Sequence, residues 1–239
     1  MIIIPARVQS SRFPNKVLAD IGGLPMVIKT AKAVEDIDKV VIATDSNEVV
    51  QVAKKYNFEA ILTSKDCNSG TDRIYQAATK LNLNKDEIII NVQADEPFIE
   101  KDVVKTLFNL TKNYANNQDV LATSLYKIVD FNHANNPNLV KVVTNNQDFA
   151  LYFSRALIPY NRDENINNYK AHLGLYGFTY TKLKKFCTIK ESYLEKLEKL
   201  EQLRILENGY KIALKEVISH SFGIDTKEDL QRALKLHSL

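Results

Sequence analysis

Residues 88–98 read IIINVQADEPF. The apolar run Ile88–Ile90 with Val92 is continuous and branched, which suits a strand buried on both faces of a parallel sheet. It runs into Gln93 and a close acidic pair, Asp95 and Glu96, with Pro97 behind them. Proline has no N–H for a ladder, so the strand is expected to stop just before residue 97. In open α/β sheets, ligands bind outside the carboxyl ends of the strands. A carboxylate there suits a hard cation beside a phosphate. The same residues also suit an acidic turn that caps the next helix, the more ordinary reading of the stretch alone.

Upstream, Ile2–Ile4 reads as a first buried strand. The loop that follows, PARVQSSRFPNK, carries Arg7, Arg12 and Lys16 with Ser10 and Ser11 between them. Arginine donors meet phosphate oxygens bidentately and lysine adds a point charge. The loop is therefore either a triphosphate cradle or a solvated basic loop. Pro25 opens a helix to about Val34, and KVVIA (39–43) is a second buried strand. A helix from Asn47 to about Tyr56 follows, with Val49, Val50, Ala53 and Tyr56 at near-helical spacing, and then a short third strand, Glu59–Leu62. Ser69-Gly70-Thr71-Asp72-Arg73 opens a helix to about Leu81. Capped by Ser69 or Thr71, it brings backbone N–H groups and Arg73 to the ligand edge of the sheet, or is simply a capped helix with a surface arginine. A further helix, from about Lys101 to Tyr114, follows the central strand. The alternation predicts an α/β fold, mainly a parallel sheet with helices on both faces.

From Leu139 the pattern changes. LVKVVT (139–144), FALYFS (149–154) and HLGLYGFTY (172–180) are strands close in sequence. They predict a mainly antiparallel subdomain at about 139–215, inserted in a single domain spanning 1–239. Arg155 follows the second strand. His172 and Tyr176 lie an even number of residues apart on the third, hence on one side of it, a pattern that packing explains as readily as ligand contact. One helix is expected over Tyr193–Leu206. Its leucines recur every third residue and sweep about 240° of the circumference, so it should be buried on several sides. Glu201, Gln202 and Arg204 then each need a partner. Asp225-Thr226 precedes the last helix, as its cap or as a second acid at an element end.

Composition excludes several classes. A formal charge of +3 in 239 residues, with no long basic block, does not indicate nucleic acid. No apolar run approaches the roughly 18 residues of a membrane span. MIIIP begins with no basic or apolar leader before it, so a cytoplasmic location is expected. The two cysteines, Cys67 and Cys187, offer neither a disulfide framework nor a zinc site. The seven glycines, at 22, 23, 70, 174, 177, 209 and 223, make neither GxGxxG nor a Walker A loop. A nucleotide here would need another cradle.

Taken together, PAR…SSRFPNK, SGTDR, NVQADEP, FSRALIP, HLGLYGF, LEQLR and GIDTKEDL occur in the order seen in the 3-deoxy-manno-octulosonate cytidylyltransferases, the CMP-Kdo synthetases, and the chain resembles that family from residue 2 to about 230. The resemblance implies a Rossmann-like nucleotidyltransferase fold, a homodimer built through the inserted region, and transfer of CMP from CTP to 3-deoxy-D-manno-octulosonate (Kdo) for lipopolysaccharide biosynthesis. By the same resemblance, Arg7, Arg12 and Lys16 hold the CTP phosphates, and Ser69, Gly70, Thr71 and Arg73 lie at the nucleotide. Asp95 and Asp225 bind Mg²⁺. Gln93, Arg155, His172, Tyr176, Glu201 and Gln202 line the sugar acid site, and Asp95, Asp225, Arg7 and Lys16 form the catalytic set. The chain departs from the family at Ala94, where glycine is common, and at Ala171, where a basic residue is common. Ala94 is expected to strain the backbone if φ is positive there. The alternatives are a cytidylyltransferase for another 2-keto sugar acid (8-amino-Kdo or a nonulosonic acid) and a catalytically silent binding protein of the same fold. A glycosyltransferase of related architecture normally carries a DxD motif, which Gln93-Ala94-Asp95 is not.

Overall fold

The computed structural model describes residues 1–9, 13–163 and 167–238. In chain order the elements are β1 (Ile2–Ala6), a 3-10 turn (Lys16–Leu18), α1 (Met26–Val34), β2 (Val40–Thr44), α2 (Asn47–Lys55), β3 (Glu59–Leu62), α3 (Gly70–Lys80), β4 (Ile88–Asn91), α4 (Lys101–Tyr114), β5 (Val120–Val129), α5 (Phe131–Ala134), β6 (Lys141–Thr144), β7 (Ala150–Ser154), β8 (Tyr169–Thr179), α6 (Tyr180–Thr188), α7 (Tyr193–Glu198), α8 (Leu203–Glu207), β9 (Lys211–Glu216) and α9 (Lys227–Leu236). The chain forms two compact units, Met1–Lys105 with Ser219–Leu239, and Thr106–Ile218. The second begins well ahead of the residue 139 expected from the strand pattern. The C-terminal half of α4 and β5 belong to it, because Thr111 and Thr123 join in a buried hydroxyl pair against β8.

In the first unit β3, β2, β1 and β4 are parallel and neighbour one another in that order, with Ile2 opposite Val40 on one side and Ile90 on the other. Ile2, Ile3 and Ile4 are fully buried, as a central strand of this kind requires. β1 runs on to Ala6, through Pro5. The Ile2 amide donates to Lys39 on the β2 side, so by alternation the N–H that Pro5 lacks would face β4, whose pairing has already stopped at Asn91 opposite Ile3. The missing donor breaks no ladder. A satellite apolar cluster of Ile21, Met26, Ile224 and Ala233, with Phe98 and Phe222 against it, seats the return of the chain into α9.

β4 is shorter than expected. It ends at Asn91, not just before Pro97, because the Glu96 amide donates to the Gln93 carbonyl and turns the chain there. In the second unit β5 pairs antiparallel with β8 and parallel with β9, and β6 pairs antiparallel with β7 and β8. The expected helix over 193–206 is two, α7 and α8, broken at Lys199 with φ +54°. A continuous helix would have spread its leucines over about 240° of the circumference. The break buries Leu200 and Leu203 and leaves Leu197 at 66% exposure.

Candidate active site

Three strand ends and one helix start converge in the first unit. Pro5 lies near the end of β1 and Arg7 follows it, Gln93, Ala94 and Asp95 follow β4, and Arg73 reaches from the first turns of α3 toward Asp45, just after β2. Ser69 caps α3 with a reciprocal box: its hydroxyl accepts from the Asp72 amide at 3.1 Å, and its own amide donates to Asp72 at 3.1 Å. The cap leaves the positive end of the helix facing a cleft of ≈ 340 Å³ lined by Pro5, Arg7, Ser69, Arg73, Gln93, Ala94 and Asp95 together with Lys16, Asn68, Gly70 and Asp225. A Cβ at Gly70 would lie 3.4 Å from Pro5 and 3.7 Å from Gln93, in ordinary contact with both.

The cleft's charge is organised by Lys16. Its ammonium donates to Asp95 Oδ2 at 2.5 Å, to Asp225 Oδ1 at 2.7 Å and to the Ile224 carbonyl at 3.3 Å. Burial works against the charged lysine, but the two carboxylates outweigh it and hold its pKa above the usual value. Asp95 and Asp225, far apart in sequence, thus aim oxygens at one point. Mg²⁺ is bound in nucleotide sites by one or two carboxylates together with substrate phosphates and water, and this pair fits that donor set. Among the described residues no group of three or more His, Cys, Asp and Glu side chains gathers as a metal cage.

The remaining sites divide. Arg73 is almost fully buried and immobilised, donating to Asp45 Oδ2 at 2.9 Å and Thr63 Oγ1 at 2.6 Å, while still lining the cleft. Thr71 is buried and does not line it. Arg12, with Ser10 and Ser11, lies outside the described residues. Ala94 has no positive φ, so its methyl strains nothing, and its carbonyl accepts from Thr30 Oγ1 at 2.9 Å. Asp95 and Glu96 are adjacent in sequence. They part company: Asp95 faces Lys16, whereas Glu96 accepts from the Ser221 hydroxyl.

Gln93 is in the first unit, and Arg155, His172, Tyr176, Glu201 and Gln202 are in the second. His172 and Tyr176 share a face, ring centroids 5.5 Å apart, but both are buried, with Phe153 edge-on to the imidazole. The Ser124 hydroxyl has one proton, which goes to the Leu175 carbonyl at 2.6 Å, so His172 Nε2 is the donor in the 2.8 Å bond between them. Burial pushes the His172 pKa down to about 3. Burial, then the nearby Glu201 charge, raises the Tyr176 phenol well above its usual value. Arg155 donates through Nε to the Glu198 carbonyl at 2.9 Å and through Nη1 to the Pro137 carbonyl at 3.2 Å. Arg204 finds its partner in Glu195, with bonds of 2.8 and 2.5 Å. Ala171 lies opposite Lys141, whose buried ammonium donates to the carbonyls of Asn136, Leu139 and Arg155.

Residues 1–212 match the family model described as cytidylyltransferase. The chain is 54% identical over 232 residues to a 3-deoxy-manno-octulosonate cytidylyltransferase of Nitratiruptor sp., covering 97% of each chain. A protein of that name from Helicobacter pylori is 50% identical over 242 residues, covering 100% of this chain and 98% of its own. Among solved structures, a CMP:2-keto-3-deoxy-manno-octonic acid synthetase complexed with CTP superposes with a TM-score of 0.88 at 37% identity, covering 100% of this chain and 98% of the other.

Proposed function

The chain belongs to the cytidylyltransferase family, and from that premise we propose that it transfers CMP from CTP to the anomeric hydroxyl of Kdo, releasing pyrophosphate. One observation carries the reading: two acids from distant segments meet on Lys16 in a cleft at the carboxyl ends of parallel strands. That is the place where α/β folds hold nucleotides. Arg7, Lys16 and the N-terminus of α3 supply positive charge for a triphosphate, and Arg73, held by Asp45, supplies a fixed wall. Arg12 is proposed to add to the same charge.

Asp95 and Asp225 are the proposed Mg²⁺ ligands. When bound, the ion offsets charge on the α-phosphate and orients the attacking hydroxyl. The reaction is an in-line displacement: the Kdo oxygen bonds to the α-phosphorus as the bridging oxygen to the β-phosphate leaves with pyrophosphate. The chain's own contribution is positioning and fixed charge, with no covalent intermediate. Arg155, by its planar fork, is the proposed partner of the sugar carboxylate. His172, Tyr176, Glu201, Gln202 and Gln93 are proposed to shape the acceptor's surroundings, the first two as a rigid neutral backing. The product is proposed to feed lipopolysaccharide assembly in the cytoplasm. No helix among the described residues is long and apolar enough to cross a membrane.

The test is pyrophosphate release from CTP and Mg²⁺ with Kdo, 8-amino-Kdo and N-acetylneuraminate as parallel acceptors. Release with Kdo is expected. Release only with another acid would keep the chemistry and replace the acceptor, and silence with all three would favour a binding protein.

A further inference from the structure

Asp225 reaches the cleft from Ser219–Asp225, a segment with no helix or strand of its own. No ladder therefore sets its register, and other bonds must. They come from two glutamates of the loop between β4 and α4. Glu100 Oε1 accepts from the His220 amide at 2.6 Å and the Ser221 amide at 3.2 Å, and its Oε2 accepts from the Ser219 hydroxyl at 2.8 Å. Glu96 Oε2 accepts from the Ser221 hydroxyl. Beyond this grip, the Ile224 amide donates to the Asp95 carbonyl at 2.9 Å. Ser219 and Ser221 are nearly fully buried, so the bonds these two serines make are not easily exchanged for water. The loop that carries Asp95 thus holds, at three successive residues, the segment that carries Asp225. We propose that Glu96 and Glu100 are positioning residues that set Asp225 opposite Asp95, and so tune the affinity of the acid pair for its cation. This rests on the proposed metal role of that pair.

Groups that orient metal ligands without touching the ion typically change metal affinity or activity by about 10–100-fold when removed. Glu100→Ala removes three acceptor contacts. Glu100→Gln keeps an oxygen for both amides and an N–H for the serine hydroxyl, and should rescue. Three quantities are to be read on the full chain: Mn²⁺ binding with CTP present, the exchange rate of the Ile224 amide, and kcat against KM for CTP. For Glu100→Ala we expect Mn²⁺ to bind about tenfold more weakly, Ile224 to exchange at least about tenfold faster, and kcat to fall while KM moves less than about threefold. Should Glu100→Ala not fold, Ser221→Ala removes the Glu96 bond and is read in the same way. A folded alanine variant with wild-type Ile224 protection and wild-type Mn²⁺ affinity would overturn the proposal. So would equal impairment in Glu100→Gln, since the acceptor geometry would then not be what matters. If the wild-type chain binds no Mn²⁺ with CTP present, the metal reading has failed separately, and the Ile224 exchange rate alone decides whether the glutamates place Asp225.

Discussion

At the scale of single residues, Lys16 and His172 show opposite uses of burial. Lys16 keeps its charge because two carboxylates meet it, and its neighbours are the groups expected to act. Removing the charge of either acid, by Asp95→Asn or Asp225→Asn, leaves the volume unchanged and one anion still beside Lys16. The fold should persist, with an unfolding midpoint close to wild type. Turnover should not persist: losing several kcal/mol of charge stabilisation at the reacting phosphate corresponds to about 10³-fold in kcat. Near-full kcat at ordinary Mg²⁺ in either variant would remove that residue from the metal site. His172 has instead given up its charge. Its folded pKa of about 3 lies below the unfolded 6.5, so below about pH 6.5 the unfolded chain takes a proton that the folded chain refuses. Stability should therefore fall as pH falls, by about 2 kcal/mol from this group between pH 8 and pH 5. Urea unfolding of wild type and His172→Gln at both pH values checks this. The glutamine can still donate to Ser124, and its stability should drop less between the two pH values. Equal drops would mean that the imidazole is not the group responsible.

At the scale of elements, what the sequence made legible was periodicity and punctuation, and what it hid was contact at a distance. β1, β2, α3 and a cap at Ser69 or Thr71 follow from local pattern, as does the shared face of His172 and Tyr176. The early end of β4 does not: its pairing stops at Asn91 opposite Ile3, and the turn closed between Gln93 and Glu96 takes the chain over from there. Nor does the break at Lys199, where burying Leu200 and Leu203 wins over a continuous helix. The roles of Glu96 and Glu100 were invisible for the same reason: their partners lie more than a hundred residues away. Gly177 is the sharpest example. A Cβ there would sit 1.9 Å from Thr111 Oγ1 and 2.6 Å from Thr123 Oγ1, the two hydroxyls that join α4 to β5 at 2.7 Å. Gly177→Ala must spread that pair, at a cost of about 1–3 kcal/mol. The melting temperature should drop by several degrees, about 2–4 °C per kcal/mol for a chain of this size. An unchanged melting temperature would mean that the two threonines can move aside freely.

At the scale of the whole molecule, the division into two units accounts for which site residues could be tied together. Of the nucleotide-side residues, Arg7, Lys16, Ser69, Gly70 and Arg73 line one cleft of the first unit, and their convergence is geometric. The acceptor-side residues of the second unit are linked to the first only by the family resemblance, and no spacing in the sequence would have joined them. That second unit also carries apolar side chains that its own core does not cover: Leu151 at 58%, Leu197 at 66% and Tyr193 at 73% exposure. Single exposed apolar residues are ordinary, but in the homodimer that the family resemblance implies a second copy would cover such side chains. Leu197→Glu separates the two explanations. Because the side chain is mostly in solvent, the substitution should change the stability of the unit by no more than about 0.5 kcal/mol. Placing a carboxylate in a dimer contact would leave a charge desolvated without a partner, weakening association at least about tenfold. Light scattering across a dilution series should show the wild type as a dimer and the variant dissociating at higher concentration, with matching circular dichroism. Identical masses at every dilution would move the contact away from α7, and a wild type that is monomeric throughout would end the dimer reading.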